Sequence, residues 1–242
     1  MSVSGHGRRI VRLPPLTADI ALRRVEWWLG FLSEGETKLS EEYKRWEARY
    51  SAPDYIFGKA PNYFLAKCKP LLPASGRVLA VADGEGRNSV WLAEQGLEVH
   101  AIDFSPTAQD KARALARERG VNVMFELADV HNWAYPEAAY DVVCEIFTQF
   151  STPVERALKW AGMRKALKPG GLLIIQGYTP KQLAYGTGGP KQVDQLYTRP
   201  MLEKAFADFH DMIFTEEELE MHEGTQHSGM SAVIGLICQK PR

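Results

Sequence analysis

This sequence predicts an α/β fold, doubly wound on a sheet of about seven strands, mostly parallel with an antiparallel C-terminal strand. Three observations carry the prediction. From Arg77 onward, short continuous apolar runs alternate with segments of helical period, as strands buried on both faces and their covering helices do. The links between them are a few residues long, as right-handed crossovers allow. The last two strand-like segments are joined by Glu223-Gly224-Thr225-Gln226, a joint too short for anything but an antiparallel pair.

The elements follow in order. Residues 1–40 read as an N-terminal extension, disordered over 1–15. Arg8, Arg9 and Arg12 stand there with no acid before Asp19, a faint likeness to a transit peptide. Pro14 and Pro15 break the apolar run, so a secretory signal is not expected and a cytoplasmic protein is. Thr17 or Asp19 caps a helix whose apolar face holds Ile20, Val25, Trp28, Leu29 and Leu32. Trp27 and Trp28 offer packing or a homodimer contact. Residues 41–242 then form one domain. A helix over 40–50 has Ser40 as its cap, and a helix over 61–72 has Pro61 in its first turn. Strands are expected over 77–82, 98–102, 122–127, 140–147 and 171–177. Helices are expected after the glycine loop, through Trp91-Leu92-Ala93, and over 105–119, 153–167 and 199–209. The closing strands cover 211–222 and 228–239.

Composition narrows the function. The chain has 242 residues, 45% hydrophobic and 24% charged, enough for one domain and an appendage. Lys plus Arg is 29 and Asp plus Glu is 30, for a net charge of −1. That balance argues against a nucleic-acid partner. No run is long and apolar enough for a membrane helix. Cys68, Cys144 and Cys238 are scattered, with no C-x-x-C, and the six histidines form no H-E-x-x-H. No metal site or disulfide framework is expected. His100 and His131 read as surface or loop groups. Lys111, Arg113, Arg117 and Arg119 read as a solvated helix face.

Three strand ends carry chemistry. The first strand runs into Asp83-Gly84-Glu85-Gly86-Arg87-Asn88, where glycines permit a sharp turn and a close ligand and a helix N-terminus follows. The second ends in Asp103-Phe104-Ser105, 17 residues after Gly86, near the spacing of an acid that binds ribose hydroxyls. Ser105 before Pro106 is the better helix cap, which frees Asp103. The third ends in Asp129-Val130, where a carboxylate can accept an adenine amine. A nicotinamide oxidoreductase would also place a glycine loop and an acid here. Ser89 stands where G-x-G-x-x-G needs its third glycine, and the closing hairpin does not belong to that architecture.

With these motifs in view, the chain resembles the class I S-adenosylmethionine-dependent methyltransferases, Rossmann-like in fold, over roughly residues 42–240. It is most similar to the small bacterial tellurite-resistance-like branch. Trp46-Glu47-Ala48-Arg49-Tyr50, Tyr55-Ile56-Phe57-Gly58, Pro61-Asn62-Tyr63-Phe64-Leu65, Leu167-Lys168-Pro169-Gly170-Gly171 and Tyr185-Gly186-Thr187-Gly188-Gly189-Pro190 carry the resemblance, together with the glycine loop. It implies S-adenosylmethionine as cofactor. Asp83, Gly84, Glu85 and Gly86 would line its methionine part, with Arg87 and Asn88 continuing the loop. Asp103 would hold the ribose beside Phe104, and Asp129 with Val130 the adenine. Glu145 and Ile146 would face the sulfonium. Trp46, Tyr50, Tyr55, Phe57 and Gly58 would fold over the cofactor. Ala80 stands where many members have an acid, and Ala82 where they have the first glycine. Glu145-Ile146-Phe147-Thr148 replaces the N/D-P-P-Y/F motif, against amino-methylation of nucleobases or glutamine.

The expected acceptor is a small molecule: a thiol, chalcogen oxyanion, phenol or carboxylate. Its expected place lies between the 178–190 loop and the hairpin turn, with Tyr178, His222 and His227 as candidate catalytic groups. Either histidine could orient the acceptor or take its proton. The alternatives are a non-catalytic binding protein of the same fold and, behind it, the nicotinamide oxidoreductase.

Overall fold

The computed structural model describes residues 36–242. The disorder, the helix and the homodimer contact expected within residues 1–35 lie outside the described residues. The chain divides into two compact units, Met1–Glu42 and Tyr43–Arg242. Helix α1 spans Glu36–Tyr50. Ser40 therefore lies inside the helix instead of capping it; Lys38 and Leu39 before it are good helix formers, and nothing forces a later start.

In the second unit, α2 is short, Tyr63–Lys67, with a 3-10 turn at Lys69–Leu71. The expected longer helix fails for two local reasons. Asn62 caps α2, its side chain accepting from Leu65 N at 2.9 Å, which leaves Pro61 outside. Pro70 has no N–H to continue an α-helix. The strands and helices that follow are β1 (Arg77–Val81), α3 (Arg87–Glu94), β2 (Glu98–Asp103), α4 (Pro106–Arg119), β3 (Val123–Leu127), β4 (Tyr140–Ile146), α5 (Pro153–Ala166) and β5 (Leu167–Tyr178). Then come α6 (Gln182–Tyr185), α7 (Arg199–Ala205), β6 (His210–Glu223) and β7 (His227–Gln239). Ser105 caps α4, its Oγ accepting from Ala108 N at 3.0 Å. A Thr152–Glu155 capping box starts α5.

The sheet has seven strands in the order β3-β2-β1-β4-β5-β7-β6. The first five are parallel. β7 inserts antiparallel between β5 and β6, so β6 runs in the same sense as β5. The order reverses between β1 and β4, and ligands bind at such a switch point beyond the strand carboxyl ends. Strand parity divides the core. Leu79, Val81 and Val143 pack with Met163, Trp160 and Tyr197 on one face. Val78, Ala80, Val142 and Cys144 pack with Phe64, Leu65 and Leu92 on the other. Among the described residues, no helix is long and apolar enough to cross a membrane, and no three His, Cys, Asp or Glu side chains cluster as a metal site.

Candidate active site

A cavity of about 510 Å³ opens at the switch point, a size that suits a small ligand. Its floor is the carboxyl edge of the sheet: Ala82, Asp83 and Gly84 after β1, Asp103 and Phe104 at the end of β2, Phe147 after β4, and Tyr178 ending β5. Trp46, Arg49, Tyr50 and Phe57 cover one side, and Gln226 with His227 close the hairpin side.

The β1 and β2 ends form one hydrogen-bonded unit. Asp103 accepts from Gly84 N and from Ser105 N, each at 2.8 Å. Each carboxylate oxygen keeps lone-pair capacity for a further donor. Asp83 accepts from the Ser89 hydroxyl and from Ser89 N. Burial pushes both acids up, Asp83 to about 7 and Asp103 to about 6. Gly84 has φ +60°, and a Cβ there would stand 2.8 Å from the Tyr50 hydroxyl. That glycine keeps the loop thin under the aromatic cover. Ala82, in place of glycine, adopts φ 50°, a conformation that explains the usual glycine.

Several expected contacts lie elsewhere. Glu85 is buried in an ion pair with Lys111 Nζ at 2.8 Å, and Tyr55 donates to the Lys111 carbonyl at 2.8 Å. These residues fasten the cover to α4 and do not line the cavity; Lys111 is a clamp, not part of a solvated face. Gly86 faces α4, where a Cβ would meet Ala112 at 2.6 Å. Gly58 lies against Gly224 of the hairpin turn. Arg87 and Asn88 do reach the cavity. Asp129 is engaged within its own turn, accepting from His131 N at 3.0 Å and Asn132 Nδ2 at 2.9 Å. Burial raises that acid, and these bonds outweigh burial and hold it low. Val130 is core. Neither lines the cavity. His100 is buried too, 2.6 Å from the Tyr140 hydroxyl, and His131 bridges Asp129 and Ser151.

Glu145 is the clearest correction. It is fully buried on the α5 side of the sheet, 2.6 Å from Lys159 Nζ. Trp160 Nε1 and the Tyr197 hydroxyl donate to it at 2.7 and 2.8 Å. Its neighbours Cys144 and Ile146 line the cavity instead, because successive strand side chains face opposite ways. His222 fails by the same alternation. It is exposed, 3.8 Å from Glu220, while Met221 is buried.

His227 and Tyr178 line the cavity. The His227 ring lies 4.5 Å from Phe57, 4.6 Å from Phe147 and 5.7 Å from Tyr178, perpendicular to the last. Its Nδ1 stands 3.6 Å from Glu223. Glu223 also holds Arg87 NH2 at 2.7 Å and accepts from Tyr63 N at 2.9 Å. Burial raises that acid, yet the surrounding donors bring it down to about 2. The Tyr178 hydroxyl is buried with no hydrogen-bond partner among the described residues. Gly188 and Gly189 pack on the Tyr178 ring, so close approach accounts for those two glycines. Sequence reasoning passed over Glu223, Phe147, Arg45 and Gln149. Only Arg45, one helical turn before Arg49, carried a periodic signal.

Comparison with known proteins agrees with this geometry. The model of a methyltransferase domain family matches residues 78–171. Residues 78–171 thus match a methyltransferase domain, and the chain is similar to known methyltransferases. It is 29% identical over 131 residues to a 2-heptyl-1-hydroxyquinolin-4(1H)-one methyltransferase of Mycobacteroides abscessus, covering 53% of this chain and 58% of that protein. It is 32% identical over 117 residues to a demethylmenaquinone methyltransferase of Deinococcus radiodurans, covering 48% of each. The chain thus spans about half the length of the curated relatives it matches. The N-methyltransferase NodS from Bradyrhizobium japonicum, in complex with S-adenosyl-L-homocysteine, shares the fold with a TM-score of 0.64, at 13% identity over 83% of this chain and 98% of that one.

Proposed function

We propose that this chain transfers a methyl group from S-adenosylmethionine to a small-molecule acceptor held in the switch-point cavity. The observation that carries the reading is the Gly84–Asp103 unit: a buried carboxylate, fixed by two backbone N–H groups, beside a turn that only glycine keeps open. The donor set fits the cofactor. Asp103 would accept from the ribose hydroxyls, and the Gly84 turn would admit the methionine chain. Phe104 and the Trp46–Tyr50 stack, 5.4 Å between centroids, would supply apolar faces. The cofactor supplies an activated methyl group. The protein's part is to hold the acceptor in line with it and to exclude water.

On this reading Tyr178 and His227 stand at the acceptor end, and His227 takes a proton where the acceptor must lose one. The relatives named above act, by their names, on a hydroxyquinolone and a demethylmenaquinone. Both are oxygen-bearing fused rings, and the aromatic wall around His227 favours the phenol among the acceptor classes.

The test is calorimetric titration with S-adenosylhomocysteine. Asp103→Ala removes about two charge-assisted hydrogen bonds, roughly 2–4 kcal/mol, so affinity should fall by about 30- to 1000-fold. Unchanged affinity in that variant would remove the assignment. Binding of NAD in place of S-adenosylhomocysteine would favour the oxidoreductase. Tight binding without a methylated product from any acceptor class would leave the non-catalytic protein.

A further inference from the structure

The acceptor end of the cavity has a composition of its own. Phe57, Phe147 and Tyr178 surround His227, and Phe147 packs on Tyr178 at 4.6 Å. These apolar faces match a flat, delocalised ring, and Arg49, Arg87 and Gln226 bring polar groups to the same cavity. Tyr178 and His227 bring polar atoms of their own to the aromatic wall. The Tyr178 hydroxyl is buried, with the Ser231 side chain beside it but no hydrogen bond of full geometry among the described residues, and such a group has room for a ligand or a water. His227 Nδ1 looks at Glu223, 3.6 Å away. Nδ1 makes no full hydrogen bond there; with its proton on that side, toward the carboxylate, Nε2 would keep its lone pair for the ligand.

Resting on the methyl-transfer reading above, we infer that the acceptor is a planar ring carrying a hydroxyl beside a second oxygen, with His227 receiving the hydroxyl proton and Tyr178 bonding the neighbouring oxygen. The step balances. The hydroxyl proton passes to His227 Nε2, and an oxygen lone pair forms the new bond to the methyl carbon. The carbon–sulfur bond breaks with its electron pair on sulfur, which becomes neutral. Glu223 steadies the resulting imidazolium. A thiol would satisfy the Tyr178 hydroxyl poorly, since sulfur is a weak hydrogen-bond partner.

The charges facing His227 set its pH response. Burial lowers its pKa, Glu223 raises it, and Arg87 and Arg49 lower it. Burial keeps the Tyr178 phenol protonated and able to donate. The imidazole is thus neutral, and able to accept a proton, above a pKa that lies below the ordinary value of about 6.5. Turnover should rise with pH on an acid limb and then level. Glu223→Gln should move that limb to lower pH, a shift that a merely structural role for Glu223 would not produce.

A matched naphthalene series tests the inference with the whole chain and S-adenosylmethionine: 2,3-dihydroxynaphthalene, 2-naphthol, 2-naphthalenethiol and 2-naphthoate, with selenite beside them. Methylated products are read by mass spectrometry and S-adenosylhomocysteine affinity by calorimetry. The diol should give a methoxy product with kcat/KM about tenfold above 2-naphthol, one hydrogen bond's worth, and further above the rest. Tyr178→Phe should erase the advantage over 2-naphthol. His227→Gln should lower kcat on the diol by about 100-fold or more, and both variants should bind S-adenosylhomocysteine as the unaltered chain does. Faster turnover of the thiol, carboxylate or selenite overturns the inference. So does undiminished discrimination in Tyr178→Phe, or no turnover of any member by protein that binds S-adenosylhomocysteine. Failure of the unaltered chain to bind S-adenosylhomocysteine would instead overturn the methyl-transfer reading beneath it.

Discussion

At the scale of single residues, the two acids under the cover carry opposite consequences for ligand and protein. Burial lifts Asp103 to about 6, and ribose hydroxyls would donate more strongly to its ionised form. Affinity for S-adenosylhomocysteine should therefore fall as pH drops through 6, and Asp103→Asn should bind weakly with no such slope; calorimetry from pH 5 to 8 reads both. Asp83, lifted from 3.8 to about 7, acts on stability. The folded state holds its proton where the unfolded chain has lost it, so this group lowers stability as pH rises from about 4 to 7. The loss is on the order of a few kcal/mol. Asp83→Asn should make the change in urea midpoint over that window more positive than in the unaltered chain. Both acids were legible in the sequence because each ends a strand at the switch point. Asp129 follows a strand too, but its side chain is engaged within its own turn and does not line the cavity, and no spacing rule reveals that.

At the scale of elements, the β4–α5 connection fixes one wall of the cavity. It carries Phe147, at φ 56°, followed by Thr148, Gln149 and Phe150, all lining residues. The Glu145–Lys159 pair braces it from behind, since Lys159 Nζ also donates to the Thr148 carbonyl at 2.9 Å. Gln149 bonds the Tyr178 carbonyl at 2.9 Å, which ties the wall to the end of β5. Lys159→Met would leave a buried carboxylate without its cation, and should cost about 3–5 kcal/mol in urea unfolding. Replacing both partners by apolar residues should recover much of that loss. The strands themselves were readable from their apolar runs, and Ser105 from its position before Pro106. Which way Glu145 points was not, because a strand buried on both faces is apolar on both and loses the alternation that marks its faces. Glu223 was hidden for another reason: it sits at a turn, and its partners Arg87, Asn62 and Tyr63 are more than 130 positions away.

At the scale of the second unit, its two ends meet over the sheet. Thr225 N and Gln226 N both donate to the Ile56 carbonyl, at 2.9 and 3.1 Å, and Arg49 donates to the Gln226 side chain at 2.9 Å. Gly224 makes this closure feasible, having φ 68° and room for no side chain; a Cβ would lie 2.4 Å from the Ile56 carbonyl oxygen. Gly224→Ala should separate the turn from the cover. Hydrogen exchange over residues 52–58 should then quicken, and S-adenosylhomocysteine affinity should fall. In the unaltered chain the same measurement should show residues 43–58 better protected with S-adenosylhomocysteine than without it. The aromatic cover was visible as a motif, but its fastening to the hairpin was not, since nothing local in either segment names the other.

The stretch that matches the methyltransferase domain, residues 78–171, contains Asp83, Gly84, Asp103 and Phe147. Phe57, Tyr178, Glu223 and His227 all fall outside it. On the proposed chemistry, the strand-end groups that hold the donor and most of the apparatus for choosing the acceptor are therefore written in separate parts of the chain, with the Trp46–Tyr50 cover lying in the second part. The second can be rewritten while the first stays as it is. Grafting residues 43–61 together with 172–242 onto a relative's central segment should carry acceptor preference across with them, whereas grafting the central segment alone should carry none.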